Sequence, residues 1–444
     1  MSGRQPPETG PVPPRGAAVQ WLGTVLFVAV SLFLWVGVTP FVDLTGLDLA
    51  DPQAGTSNQL YQITLVAISI MMIAYGLTHS MRGWILGPRA LLSSLLLWFL
   101  FVSLIGAHPM LGVKAIVVTT LVTINAGVYL LLPATEQHFA RLCGICMLIV
   151  LAIAYYGVLF LPALSIHHAG ELLEPMNAGM WRGHFNHKNT AAGAMVISAF
   201  LGLYVMSVWS RGIGLVIFVL SCIFLLNTGG KTSSAMLPAV LLLAFVFEKV
   251  RWLRAPIACG VIGFSFLLIG SGIIRPLNDF IGKLGIDATF TNRADIWRLA
   301  YNAILERPLT GYGLKGFWQT PELVYSGSET WAVMAGHGHN AYLDLILTTG
   351  LPGLVLALVW LLFLPLRDVS RMTEEQQHTP LTRLFVRVWL FALYNAGLES
   401  VFFEGRNVVW FTLVAALWGL RMQSRATLAV GTPRLAAGEV AARV

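Results

Sequence analysis

The chain has 444 residues, of which 56% are hydrophobic and 11% charged, and its formal net charge is +7 at pH 7. Soluble globular domains carry roughly 25% charged residues, so a water-soluble fold is excluded, and with it the reading of the positive charge as a nucleic-acid-binding surface. In a polytopic membrane protein an excess of Lys and Arg records cytoplasmic loops instead. Several apolar runs exceed the ~18 residues a helix needs to span a bilayer. The short alternating segments of a lipid-facing barrel are missing from the pattern. The expected class is an all-α polytopic membrane protein.

In chain order, residues 1–17 are polar and rich in Pro and Gly, and read as a disordered cytoplasmic N-terminus. The apolar run that follows is too long for a signal-peptide core and reads as an uncleaved first helix. Twelve membrane segments are expected at about 18–38, 58–77, 90–106, 112–132, 143–162, 190–208, 211–227, 233–247, 255–274, 340–366, 384–400 and 405–421. They divide the chain into helices one to nine (18–274), an outer segment (275–339), helices ten to twelve (340–421) and a cytoplasmic tail (422–444). The four cysteines (Cys143, Cys146, Cys222, Cys259) lie in apolar runs and read as packing residues. Lys and Arg placement puts both termini in the cytoplasm, with Lys249, Arg251, Arg254, Arg383 and Arg387 among the inner basic residues.

A second group of cations breaks that rule and falls on the outer side: Arg182, Lys188, Lys231, Arg275, Lys283, Arg293, Arg298, Arg307, Lys315 and Arg406. Snorkelling toward headgroups explains part of this group. The rest fits a basic pocket for a polyanion such as a diphosphate. Within the outer segment, 292–306 reads as an amphipathic helix with Ile296, Ala300 and Ile304 on one face beside Trp297 and Tyr301, capped by Thr291 or Asn292.

Two motifs fail as nucleotide sites. Gly311 to Gly316 matches G-x-G-x-x-G but follows a helix, and reads as a flexible turn. Gly230-Lys231-Thr232 lacks the first glycine of a Walker A loop, since Leu225 stands there; what remains is a polar break between helices with one lysine. The stretch WRGHFNHKN brings Arg182, His184, His187, Lys188 and Asn189 together before the sixth helix. No carboxylate or cysteine completes a metal set there. The first outer loop holds Asp43, Asp48 and Asp51 but no D-x-D, so neither a metal nor another cofactor is expected. His337 and His339 flank Gly338 at the mouth of the tenth segment, followed by Asn340. A titratable side chain at such a depth is a functional hypothesis by default.

HGHNAYLDLILTTGLPGL resembles the HN-x-Y-L…G-L-x-G segment of the O-antigen ligase and polymerase superfamily. NRADIW followed by ERPLTGYG resembles its R-x-x-I-W…P-L-x-G-x-G element, and GHFNHKN its G-x-F-x-x-x-N element. The likeness covers residues 181–354; members often carry arginine where Lys231 stands. It implies a metal- and nucleotide-free glycosyltransferase of the bacterial inner membrane, with its active site on the periplasmic face. The implied donor is an undecaprenyl-diphosphate-linked polysaccharide and the implied acceptor lipid A–core. The implied roles are His339 as base, Arg293, Lys231 and Arg182 as diphosphate ligands, and Asn340, His337, His187 and Asn189 as supporting pocket residues. The alternatives are an O-antigen polymerase, a protein O-oligosaccharyltransferase, or a transporter of a lipid-linked polyanion.

Overall fold

The computed structural model describes residues 16–44, 59–85, 89–171, 175–283, 293–328 and 330–425. The expected disordered N-terminus, Asp48, Asp51, the caps Thr291 and Asn292, and nearly all of the tail lie outside the described residues. Among the described residues the chain is helical and forms no strand, only an isolated bridge between Ile166 and Trp181.

Each of the twelve expected segments is a helix. They are α1 (Ala17–Trp35), α2 (Gln59–Thr78), α3 (Ala90–Leu104), α4 (Pro109–Tyr129), α5 (Glu136–Phe160), α6 (Lys188–Val208), α7 (Arg211–Asn227), α8 (Lys231–Lys249) and α9 (Arg254–Ile273). In the outer segment α10 (Arg275–Lys283) and α11 (Arg293–Glu306) precede α12 (Ala341–Leu358), α13 (Pro380–Asn395) and α14 (Val408–Gln423). Among the described residues eight helices are long and apolar enough to cross a membrane: α1, α2, α4, α5, α6, α8, α9 and α12 with its continuation to Ser370. Helices α3, α7 and α14 are apolar but shorter. The protein is an all-α polytopic membrane protein.

The centre of the bundle is α6, with 72% of its apolar window buried. Its residues 191–199 run Ala-Ala-Gly-Ala-Met-Val-Ile-Ser-Ala, and small side chains of this kind let membrane helices approach closely. The contact with α7 shows the effect. A Cβ on Gly214 would stand 2.3 Å from the Met206 amide nitrogen, and one on Gly202 2.8 Å from that of Phe218. Helices α13 and α14 pack on the other side of α6, and α8 lies against α13.

The expected single helix over 340–366 is broken. Gly350 has φ +67°, and a Cβ there would fall 2.0 Å from the Leu309 carbonyl oxygen. The break frees three carbonyls, and each is satisfied. Leu347 accepts from the Tyr312 amide (3.0 Å), Thr348 from the Gly313 amide (2.8 Å) and Thr349 from the Trp98 indole (2.8 Å). On the other side the Leu351 amide donates to the Pro308 carbonyl at 2.9 Å. Irregular backbone is tolerated among membrane helices only when its polar groups are satisfied in this way. The PLTGYG and TTGLPG motifs are therefore two halves of one joint. Gly311 (φ +62°) and Gly313 (φ +85°) form a turn clamped to α12 rather than the flexible turn expected from sequence.

A second correction concerns α13. Its helix ends at Asn395, whereas the apolar pattern extended it to 400. Residues 396–407 form a loop at the same end of the bundle as the start of α12, joined to it by a hydrogen bond from the Ala341 amide to the Ala396 carbonyl (2.8 Å).

Candidate active site

The loop 337–340 is shaped from three directions. Asn340 caps α12, its Oδ1 accepting from the Tyr342 and Leu343 amides at 3.0 Å each. Its Nδ2 donates to the Gly397 carbonyl at 2.8 Å, so one fully buried side chain joins the helix mouth to the loop after α13. Gly338 is held on both sides. Its carbonyl accepts from the Trp297 indole of α11 (2.9 Å), and its amide donates to both Asp344 oxygens (3.0 and 3.1 Å). Asp344 is fixed in turn by the Trp318 indole (2.7 Å) and the Ser400 hydroxyl. A Cβ at Gly338 would lie 2.5 Å from Asp344 Oδ1, which accounts for the glycine.

Between these restraints His339 adopts φ +49°, a left-handed conformation uncommon outside glycine. Strained backbone of this kind persists where its surroundings over-determine it, and it concentrates at active sites. The His337 ring lies 4.2 Å from the His339 ring, centroid to centroid, and its Nδ1 accepts from the His339 amide at 3.3 Å. His337 is exposed at the surface, and its surroundings, first, and the adjacent His339, second, lower its pKa.

The centre of the cluster is a residue absent from the sequence-based set, Glu399. Its Oε1 accepts from Arg293 Nη2 at 2.9 Å and from Asn189 Nδ2 at 3.0 Å, and its Oε2 faces His339 Nδ1 at 3.6 Å. Arg293 also donates to the Leu398 carbonyl. As the first residue of α11 this cation sits at the positive end of a helix dipole, and Glu399 offsets that placement. Burial acts to raise the Glu399 pKa, but His339 and the Arg293 guanidinium outweigh it and hold it at about 2. The carboxylate is therefore ionised at any physiological pH. The buried His339 Nδ1 has no hydrogen-bond partner among the described residues, and Glu399 is the acceptor poised in front of it.

This cluster gathers residues from the start of α6, the start of α11, the mouth of α12 and the loop after α13. Residues 213–358 match the O-antigen ligase family model. The chain is also similar to the exopolysaccharide production protein ExoQ of Rhizobium meliloti, with 24% identity over 51% of this chain and 50% of that protein. It is similar to a Rickettsia conorii protein named as a candidate polysaccharide ligase, with 23% identity over 30% of this chain and 33% of that protein. Over residues 213–358 the chain is thus similar to the O-antigen ligase family. These matches span a half and a third of the curated relatives' lengths.

His339, His337, Arg293 and Asn189 come together as expected from sequence. The remaining expected residues do not face the cluster. Arg182 is fully buried, and its guanidinium donates to the Val42 (2.7 Å) and Phe185 (3.2 Å) carbonyls. In this conformation it ties two loops together, and its placement does not support a diphosphate contact. Asn340 is likewise buried in structural bonds and does not line an open pocket. His187 caps α6, its Nδ1 accepting from the Asn189 amide at 3.1 Å, and so orients Asn189 from behind. Next to it His167 accepts from the Lys188 amide through Nε2 (3.2 Å), which assigns its proton to Nδ1, facing Glu171 at 2.6 Å. Lys231 is exposed at the start of α8. It is one residue past Gly230, which packs on Ala192 of α6, three residues beyond Asn189.

Glu399 was hidden by its setting. It lies in an apolar stretch that reads as membrane helix, and no motif surrounds it. The available signal was the carboxylate itself, since an acid within an apparently membrane-embedded run marks a functional position.

Proposed function

We propose that this chain is an O-antigen ligase. In this reading it transfers a polysaccharide from undecaprenyl diphosphate to a sugar hydroxyl of lipid A–core, at the periplasmic face of the bacterial inner membrane, with both termini in the cytoplasm. The observation that carries the proposal is the His339–Glu399–Arg293 constellation, reached also by Asn189, at one end of a membrane bundle.

The chemistry follows from the chain's own groups. Glu399, a permanent anion, favours the His339 tautomer with its proton on Nδ1 and leaves Nε2 basic. The acceptor hydroxyl gives its proton to Nε2 as its oxygen bonds to the anomeric carbon. The bond from that carbon to the diphosphate oxygen breaks, and undecaprenyl diphosphate leaves with the electron pair. A single displacement of this kind inverts the anomeric centre. The diphosphate needs cations in place of a metal. Arg293 serves at the cluster, and exposed Lys231 approaches from the neighbouring break, while Arg182 holds the loop between them.

The test is to incubate purified protein with lipid-linked polysaccharide and lipid A–core. Conjugate is expected, and its absence would overturn the ligase assignment. A polymerase of the same superfamily is the second reading; the R. meliloti relative is named for exopolysaccharide production. In the same assay it would lengthen the lipid-linked chain and leave lipid A–core unmodified. A transporter would yield neither product.

A further inference from the structure

At the opposite end of α13 from Glu399 lies a cavity of about 330 Å³ between α8, α9 and α13. It is the kind of volume that holds a small ligand group. Four cations line it, Arg254, Arg383, Arg387 and Lys249, against a single carboxylate, Glu248. That carboxylate is already saturated. It accepts from Arg383 Nε (2.9 Å) and Nη2 (2.6 Å), and from His378 Nδ1 (2.7 Å). Arg254 is buried, donating to Gln377 Oε1 at 2.8 Å and to the Phe247 carbonyl at 2.9 Å. Arg387 is half-buried, one turn further along α13, and has no hydrogen bond or ion pair among the described residues.

A guanidinium set among membrane helices without an acceptor is costly, and such residues mark binding sites. The lining also has an apolar part, formed by Leu241, Ala244, Phe245 and Val386. Phe245 is 58% exposed on the outside of the bundle, so the cavity adjoins its lipid-facing surface. Trp252, 75% exposed, stands beside the same end, as an aromatic residue does at headgroup depth. A free phosphate would use the cations but not the apolar wall. A phospholipid uses both.

We infer that this cavity binds the phosphate of an anionic phospholipid headgroup, held by Arg387 with Arg383 and Arg254, with the lipid's glycerol end against the apolar wall. The site is separate from the glycosyl-transfer cluster and does not depend on that reading.

Native mass spectrometry of the full-length protein in mild detergent tests it, with phosphatidylglycerol and phosphatidylethanolamine as probes. Wild type is expected to retain one phosphatidylglycerol in preference to phosphatidylethanolamine. Arg387→Gln should lower that retention by about tenfold, the loss of one charge-assisted bond. Because Arg387 makes no hydrogen bond or ion pair among the described residues, the lipid-free melting temperature of this variant should stay at the wild-type value. Arg387→Lys, which keeps the charge, should restore most of the retention. Equal retention of the two lipids, or wild-type retention by Arg387→Gln, would overturn the site. Inorganic phosphate protecting against thermal unfolding as well as phosphatidylglycerol would overturn the lipid assignment in favour of a free anion.

Discussion

The two ends of α13 each carry an arginine–glutamate pair, and the two pairs are built for different work. At one end Arg293 and Glu399 balance one another, and a histidine stands 3.6 Å from the carboxylate with its Nδ1 lacking a hydrogen bond among the described residues. At the other end Arg383 and Glu248 also balance, but Arg387, Arg254 and Lys249 are left in excess around a cavity. A neutralised pair beside an imidazole can orient it and move a proton. An uncompensated guanidinium can only attract an anion. The count of charges left over, rather than the presence of the pair, separates a catalytic arrangement from a binding one.

The largest effect that would break this contrast is at His339. His339→Ala should lower transfer turnover by about 10² or more, the ordinary loss on removing a general base, with the protein still folded. Turnover at the wild-type rate would remove histidine chemistry from that end. Gly350→Ala comes next, through stability. A side chain at φ +67° that meets the Leu309 carbonyl should destabilise the joint behind the site by about 2–4 kcal/mol. The measurement is the melting temperature in detergent, expected to fall by several degrees.

Arg293→Ala should raise the donor KM by about tenfold, since it removes a charge-assisted contact. Arg298→Ala should leave the KM near wild type, because that side chain is exposed and pairs, among the described residues, with Asp295 on its own helix. Equal effects would reduce Arg293 to general surface charge. The pH profile is subtler. With its pKa held at about 2, Glu399 contributes its full stabilisation above the unfolded carboxylate value of roughly 4.3. That contribution is lost only as pH falls toward 2, so no limb between pH 5 and 8 can belong to Glu399. The smallest effect is at the other end. Arg387→Gln should leave turnover in detergent within about twofold of wild type, as a surface-type change remote from the chemistry does.

Much of the site was legible because polar residues stand out in an apolar chain. His337, His339, Arg293 and Asn189 were visible on those grounds, and so was the face of α11 that buries Ile296, Trp297, Ala300 and Ile304. Arg182 and Asn340 were legible as polar residues, but not in their placement. A donor-rich side chain can serve a ligand or a neighbouring carbonyl, and only the packing shows which. Glu399 was invisible for the converse reason. Hydropathy averages over a window, and one carboxylate within an apolar run does not mark where a helix stops.

What the sequence determined by itself is the class of the protein, the positions of its helices and the end of the bundle that carries the histidines. These depend on composition and on contacts between near neighbours. What only the tertiary structure decided is the set of partners. Arg293 and Glu399 are 106 residues apart, Asn189 and Glu399 are 210 apart, and Arg254 and Gln377 are 123 apart. The break at Gly350 likewise depends on carbonyls meeting the amides of Tyr312 and Gly313 and the Trp98 indole. No local pattern encodes such pairings, because each depends on where the folded bundle brings two distant segments within reach.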